Sequence, residues 1–311
     1  MTVDSSPHLI GPFAKCTGDD WLQTITALKL KNLGELLRGM RLVETDTGQA
    51  DSLSPPHERA LATAMGLATS ADGLIPWAAL EAKGTAGQAW ALITPCHWAM
   101  GREHATLTDP ATLELAEAQS HTLLADMQPY FSTEGITLHY LQPTCWLAEA
   151  GVFRNLPTAS LDRVLGRNVD RWLPASKAIK LLQNEMQMLL YTHPVNDERT
   201  AKGQRPVNSF WVSGSGALTE SPSACPQVRT TRTLAQTALA GDWTAYAQAW
   251  AQLDDADIAQ LLAQQNAGQA VRLSLCGERN AATFESAQLG FLAKIKNVLS
   301  PQPALDKLKL L

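Results

Sequence analysis

Two histidines that could carry acid–base or metal chemistry follow the apolar run at positions 89–94. Imidazole titrates near neutral pH and is a common metal ligand, so His97, His104 and the more distant His193 are candidate catalytic residues. Glu103 could act as a third metal ligand or orient an imidazole. The spacing matches no HExxH-type helix, so contacts with a ligand or structural hydrogen bonds are favoured, and no metal ligand is assigned.

A second concentration of polar residues lies at positions 193–216. The spacing predicts a polar turn at 193–199, a strand at 207–212 and a loop of small residues at 213–216. Such a segment could bind an anion through Arg and Asn side chains and closely approaching glycine backbone, or it could equally maintain the scaffold. The candidate ligand-binding residues here are His193, Asn196, Arg199, Asn208, Trp211, Ser213, Gly214 and Gly216.

Three arginines and two aspartates are concentrated at positions 158–174. Helical spacing places Arg163, Arg167 and Asp170 on one side. Such a run is usually a solvated ion-pair face, but an arginine also grips phosphate or carboxylate with a forked pair of donors. These three residues therefore join the candidates for an anion-binding site.

An enzyme with metal-independent chemistry is the alternative function, acting on a phosphorylated or carboxylated metabolite through histidine acid–base catalysis. Thr94, Cys96, Ser209, Ser213 and Ser215 are the candidate nucleophiles for it. No Gly-x-Ser-x-Gly elbow supports a hydrolase. Neighbouring side chains of a strand point to opposite faces, which also argues against Cys96 and His97 acting as a pair.

The elements that must position these residues indicate an α/β fold, with a mixed or mostly parallel sheet flanked by helices. Strands are predicted at 8–14, 41–44, 89–94, 135–141, 145–150, 207–212 and 271–275. Helices are predicted at 21–39, from 55, from 110, and at 179–191, 233–239, 243–253, 256–265 and 282–298. Asp242 and Asp254 have the residue type and position of helix caps.

The domain boundaries follow from composition. Residues 1–218 are predicted to form one α/β core that can carry insertions, and the Ser-, Pro- and Thr-rich stretch at 219–230 a loop or linker. Residues 231–300 contribute a helical segment, a last strand and a last helix that complete the same domain. Residues 301–311 are expected to be a tail.

Composition excludes several classes of function. With 45% hydrophobic and 18% charged residues, the chain can build a core, and its net charge of -5 argues against a nucleic-acid partner. No run approaches the roughly 20 apolar residues of a membrane span. The first residues lack a secretory signal, and the five cysteines are scattered, so we expect a protein of the reducing cytoplasm.

The polar segment resembles the archaeal-type cofactor-independent phosphoglycerate mutases of the alkaline phosphatase superfamily. The matching residues are His193, Pro194, Asn196, Arg199, Gly203, Pro206, Asn208, Trp211, Gly214 and Gly216. The chain also resembles, from end to end, the bacterial RpfE-type regulatory protein family, whose members are often labelled phosphoglycerate mutase. The stretches that carry this likeness are LSPPHERALA, LITPCHW, PTASLDRVLGRNVDRWLP, QNEMQMLLYTHPVN, PVNSFW and LCGER. The resemblance implies an alkaline-phosphatase-like core with a more helical C-terminal part.

The metal ligands of those mutases have no counterpart here. The mutases use two metal ions, held by residues that include an aspartate after the first strand and a late Asp-His pair. In this chain the first strand leads into Gly11, Pro12 and Phe13, no Asp-His dipeptide occurs, and no histidine follows His193. We therefore expect a pseudoenzyme without a cofactor, acting as a regulatory or ligand-binding protein whose partner is an anionic small molecule or another protein.

Overall fold

The computed structural model describes residues 6–67, 71–219, 227–287, 304–309 and 311. The strands are β1 His8–Lys15, β2 Met40–Thr47, β3 Ala89–Cys96, β4 Trp98–Met100, β5 Ala105–Leu107, β6 Thr137–Gln142, β7 Cys145–Glu149, β8 Ser209–Ala217, β9 Val228–Thr230, β10 Arg272–Gly277 and β11 Asn280–Ser286.

The α-helices are α1 Asp19–Ala27, α2 Lys31–Arg38, α3 Pro56–Ala64, α4 Trp77–Glu81, α5 Glu117–Thr133, α6 Leu161–Val164, α7 Lys177–Tyr191, α8 Pro194–Ala201, α9 Thr233–Leu239, α10 Trp243–Leu253, α11 Ala259–Asn266 and α12 Ala304–Lys309. Short 3₁₀ helices cover Pro110–Leu113, Gly151–Phe153 and Val169–Arg171, and a π-helical turn covers Asp254–Ile258. Within the described residues, no helix is long and apolar enough to cross a bilayer.

The chain divides into two compact units. Unit 1 contains Met1–Asp51, Pro55–Leu67 and Pro222–Leu311, and unit 2 contains Ser52–Ser54 and Ala68–Ser221. The boundaries predicted from composition, at 218 and 230, differ from this division. The reason is that β1 pairs in parallel with both β9 and β10, which joins the start of the chain to its last third through sheet hydrogen bonds.

Unit 1 is built on a five-stranded mixed sheet in the order β2-β11-β10-β1-β9. Side chains alternate across it, as a pleated strand requires. Leu9, Leu273 and Leu275 pack in a large core with helices α1, α2 and α9 to α12, whereas Ile10 and Cys276 contact residues of α3 on the opposite face. The predicted α/β class, with a mixed sheet flanked by helices, is confirmed.

Unit 2 is built on a four-stranded antiparallel sheet in the order β6-β7-β3-β8. On one face, Phe210 and Val212 of β8 join a core with the apolar sides of α5 and α7. The intervening Trp211 points to a second, smaller core that includes Trp98 and Trp172. The β4–β5 hairpin follows β3 directly, with His97 as the residue between β3 and β4, and Trp98 of the hairpin belongs to this smaller core.

Three of the predicted elements differ in the structure. The predicted helix at 21–39 is interrupted: Leu28 is extended, and the buried Asp254 carboxylate accepts hydrogen bonds from the N–H groups of Asn32 and Leu33, which starts α2 as a separate helix. Asp254 thus caps a helix distant in sequence, and the turn containing it continues α10 into α11. The predicted turn at 193–199 is helix α8, with Pro194 at its first position.

One predicted loop and part of one predicted helix form strands in the structure. The loop predicted at 213–216 belongs to β8, because antiparallel pairing with β3 continues as far as Ala217. The first part of the helix predicted at 282–298 is β11, which pairs with β10 and β2; positions 288–298 lie outside the described residues. Of the linker predicted at 219–230, positions 220–226 also lie outside them, and 228–230 form β9. The predicted tail at 301–311 contains α12, where Leu308 is fully buried.

Candidate functional site

His193 caps helix α8 and is buried. Its Nδ1 accepts a hydrogen bond from the Val195 N–H at 3.2 Å, and its Nε2 lies 2.9 Å from a carboxylate oxygen of Asp126 on α5. An Nδ1 that accepts a hydrogen bond carries no proton, so the proton is on Nε2, which donates to Asp126. Nδ1 therefore caps α8, Nε2 connects this cap to α5, and both ring nitrogens are engaged within the protein.

Asn196 connects three backbone segments in the interior. Its amide nitrogen donates to the carbonyl oxygens of Leu190 at 2.7 Å and Val207 at 2.6 Å, and its oxygen accepts from the Val207 N–H at 2.8 Å. An asparagine amide has two N–H donors and one oxygen, and all three are engaged. The side chain therefore joins the end of α7 to the segment before β8.

Arg199 is fully buried and is surrounded by oxygen acceptors. Its guanidinium donates to the Arg205 and Leu113 carbonyls and to the Gln119 side-chain oxygen. Burial lowers the pKa of Arg199, and the charge of Glu114 opposes that shift. Because its three acceptors are fixed, this arginine has a structural role: it connects α8 to α5 and to the segment before α5.

The residues of the β8 segment are also engaged in packing. Asn208 accepts from the Trp98 N–H at 2.7 Å and donates to the Trp98 carbonyl at 3.0 Å. The Trp211 indole donates to the Ala159 carbonyl at 3.0 Å. Ser213 is buried, and the hydroxyl of Ser215, two residues on, lies 2.9 Å from the Thr158 hydroxyl.

The two glycines of β8 are required by a close approach of α4. Gly214 has a φ of 58°, and a Cβ there would lie 3.0 Å from the Trp77 Cβ. Gly216 has a φ of 146°, and a Cβ there would lie 3.0 Å from a Pro76 side-chain carbon. Their backbone therefore faces protein atoms, and the absence of side chains lets α4 pack against the sheet.

The arginine run lies beside the β4–β5 hairpin. Leu165 and Asn168 form isolated bridges with Leu107 and Thr106 of β5. Gly166, at a φ of 67°, donates its N–H to the Leu107 carbonyl at 2.8 Å and turns the chain. We refer to residues 97–108 and 163–170 together as the hairpin corner.

The members of the hairpin corner differ in how their side chains are engaged. Arg163 is buried and donates to the Ser54 carbonyl at 3.4 Å. Arg167 is half-buried, and its guanidinium makes no hydrogen bond or ion pair with the rest of the described chain. His97 donates from Nδ1 to the Pro206 carbonyl at 2.9 Å, which leaves Nε2 as an acceptor. Asp170 and His104 are exposed.

The candidate nucleophiles are buried in the sheet. Cys96, Ser209 and Ser215 are completely buried, and Thr94 is nearly so. Burial raises the pKa of the Cys96 thiol, and this outweighs the opposing effect of a hydrogen bond with Trp98. Cys96 is therefore a neutral thiol inside the protein and not a reactive thiolate.

The sequence did not reveal the partners that hold the candidate residues. Asp126 and Gln119 on α5 bind His193 and Arg199 from 67 and 80 residues away, and the Pro206 carbonyl binds His97 from 109 residues away. The two partners on α5 could have been identified only by a fold prediction that placed α5 beside α8. Among the residues that the structure describes, no three His, Cys, Asp or Glu side chains are grouped as metal ligands.

Comparison with known proteins gives only distant likenesses. No protein-family model matches the chain, and no curated protein matches it. It is similar to the cofactor-independent phosphoglycerate mutase from Thermoplasma acidophilum DSM 1728, at 14% identity and a TM-score of 0.35 over 98% of each chain. It is also similar to the PH0037 protein from Pyrococcus horikoshii, at 10% identity and a TM-score of 0.40 over 94% of this chain and 92% of that one. Both TM-scores are too low to show that the folds are shared in detail.

Proposed function

We propose that this chain is a ligand-binding, regulatory protein that recognises a small phosphorylated or carboxylated molecule at the hairpin corner. The observation that carries the proposal is the contrast between its arginines. Arg199 and Arg163 donate to carbonyl oxygens inside the protein, whereas the half-buried guanidinium of Arg167 has no partner among the described residues. A partly desolvated guanidinium without a protein partner favours an external carboxylate or phosphate.

The surroundings of Arg167 suit a small anion. Gly166 precedes it in a left-handed conformation and is exposed, and a Cβ added there would meet no atom within 4 Å, so a ligand can approach the Arg167 side chain past this residue. Elsewhere in the hairpin corner, His97 has a ring nitrogen that can accept a hydrogen bond from a hydroxyl group, and the exposed Asp170 has a carboxylate that can do the same. Phosphorylated hydroxy acids carry both an anionic group and hydroxyls.

Binding is preferred to catalysis because the groups that catalysis would use are engaged or buried. His193 has both ring nitrogens in hydrogen bonds, and the Cys96 thiol is neutral and inaccessible. The sequence resemblance to the mutases supports the class of ligand, and the resemblance to the RpfE-type family supports a regulatory, cytoplasmic role for a pseudoenzyme. In that regulatory role, the ligand-bound form would be recognised by another protein and not by a nucleic acid.

Thermal unfolding with defined anions tests this function. Phosphoglycerate or citrate should raise the melting temperature of the full chain, and glycerol should not. Because a charge-assisted hydrogen-bonded contact contributes about 1.5–3 kcal/mol, Arg167→Ala should weaken binding roughly 10- to 100-fold in a calorimetric titration. The exposed Arg171→Ala is the matched control and should bind as the wild type does. Equal anion affinity in the Arg167 and Arg171 variants would refute the site.

The metal-independent enzyme is the second candidate, and one observation favours it. Donation from His97 Nδ1 to the Pro206 carbonyl leaves Nε2 free to take a proton at the same corner, as a general base requires. If this is the function, phosphoglycerate should be converted slowly in the presence of a chelator, and His97→Gln should abolish the conversion. Binding of the anion without any turnover would reject this candidate and leave the first.

A further inference from the structure

A cavity of about 330 Å³ lies in unit 1 beside the edge strand β9, and none of the residues discussed above as candidates lines it. One wall is formed by the starts of β1 and β9, which pair in parallel with His8 opposite Val228. The other wall is formed by the π-helical turn and α11. Leu9 and Leu261 supply apolar surface, whereas the side chain of Val228 packs against Ile10 on the opposite face of the sheet. A volume of this size is at the lower end of the range of small-molecule sites in proteins.

The rim of the cavity is polar but carries compensating charges. Arg229 donates to the Gln260 side-chain oxygen at 3.1 Å and to the carboxylate of Asp257. Gln227, Gln264 and His8 also line the cavity; the His8 ring is hydrogen-bonded to the Ser274 hydroxyl, and the side chain of Gln264 makes no hydrogen bond with other described residues. The arginine and the aspartate cancel each other in charge, so the rim offers hydrogen-bonding groups without a net attraction for phosphate.

The π-helical turn gives a structural reason why these groups face the cavity. It inserts a widened turn, Asp254–Ile258, between α10 and α11. Its first residue is held by the hydrogen bonds of Asp254 with α2, and its last, Ile258, is buried in the core. Between these two anchored positions Asp257 is placed at the cavity rim, where it pairs with Arg229. Single π turns are rare and often lie at functional sites, which agrees with a ligand-binding role for this rim.

We propose that this cavity binds a flat, uncharged heterocycle of the nucleobase class. A glutamine amide presents donors and an acceptor in one plane, the pattern that complements the edge of a base, and asparagine and glutamine pair with bases in this way. The aliphatic side chains of Leu9 and Leu261 border the ring, whose burial removes apolar surface from water. The charge-neutral rim excludes phosphate as the recognised group. This site is independent of the anion site proposed at the hairpin corner.

Ligand-observed NMR with saturation transfer from the full chain tests the cavity, with adenine and uracil as probes. Toluene and inorganic phosphate serve as apolar and anionic comparison probes. Because a single base offers few atoms for contact, we expect dissociation constants on the order of 1 mM. Gln264→Leu should weaken binding about five-fold through the lost hydrogen bond.

A filling variant separates this cavity from any other surface. Gln260→Trp occupies it from an exposed position of α11 and should abolish the signal, whereas Gln236→Trp, at an exposed position of α9 outside the cavity, should leave it unchanged. Circular dichroism checks that both variants fold. The proposal is overturned if neither base binds, if toluene binds and the bases do not, or if Gln260→Trp binds the bases as well as Gln236→Trp does.

Discussion

Replacement of Asn196 by alanine separates a structural role for the polar segment from a role in binding. The side chain makes three hydrogen bonds to the backbone groups of Leu190 and Val207, and it is nearly completely buried. In the alanine variant the Val207 N–H and carbonyl lose this partner, while the Leu190 carbonyl retains a longer bond from the His193 N–H at 3.3 Å. Two buried backbone groups are therefore left without the hydrogen bonds that the amide supplied.

The magnitude follows from the cost of buried groups without partners. Each costs about 1–3 kcal/mol, so Asn196→Ala, which leaves two such groups, should lower the free energy of unfolding by about 2–6 kcal/mol. Urea denaturation followed by tryptophan fluorescence measures this. With a slope of roughly 3 kcal/mol per molar urea, since the slope increases with protein size, the midpoint should fall by about 0.7–2 M.

The matched control is Asn184→Ala, at an exposed position of α7, where a change within about 0.5 kcal/mol is expected. Anion binding at the hairpin corner should survive Asn196→Ala at temperatures where the variant is folded. A variant as stable as the wild type would refute the hydrogen-bond reasoning. Loss of the anion response at unchanged stability would instead place Asn196 in a binding site.

The remaining predictions concern packing and reactivity. Gly214→Ala should destabilise the protein by about 1–3 kcal/mol and so lower its melting temperature, because of the left-handed φ and the contact with α4. The control is Gly34→Ala in α2: an added Cβ there has nothing within 4 Å, so this variant should be stabilised by up to about 1 kcal/mol. Arg199→Lys should cost about 3 kcal/mol in urea denaturation, since one ammonium cannot reach three acceptors. Burial raises the pKa of the Cys96 and Cys276 thiols, so iodoacetamide at about pH 8, near the ordinary thiol pKa, should label them only after unfolding. Peptide mass spectrometry measures this labelling, and rapid labelling of the folded protein would contradict the burial.

Elements with strong local signals were predictable from the sequence. Helices α9 and α10 begin and end where the apolar spacing and the Asp242 cap place them, and Asp242 accepts the N–H of Ala245 at 2.9 Å. The β6–β7 hairpin and the buried strand β3 were also predictable, because a period of two and a short apolar run depend on residues close in sequence. The α/β class follows from the alternation of such elements.

The tertiary structure alone decided what the polar residues at 193–216 do. The Pro194 signal for a helix start is local, but the acceptors and donors that engage His193, Asn196 and Arg199 lie on other elements, and a residue type does not specify its partner. Gly214 and Gly216 suggested a loop, yet they lie in a strand because pairing with β3 continues to Ala217, and they are glycines because α4 approaches too closely for a side chain. Sequence determined which residues could bind a ligand; packing decided that most of them bind the protein and left Arg167 and His97 at the surface.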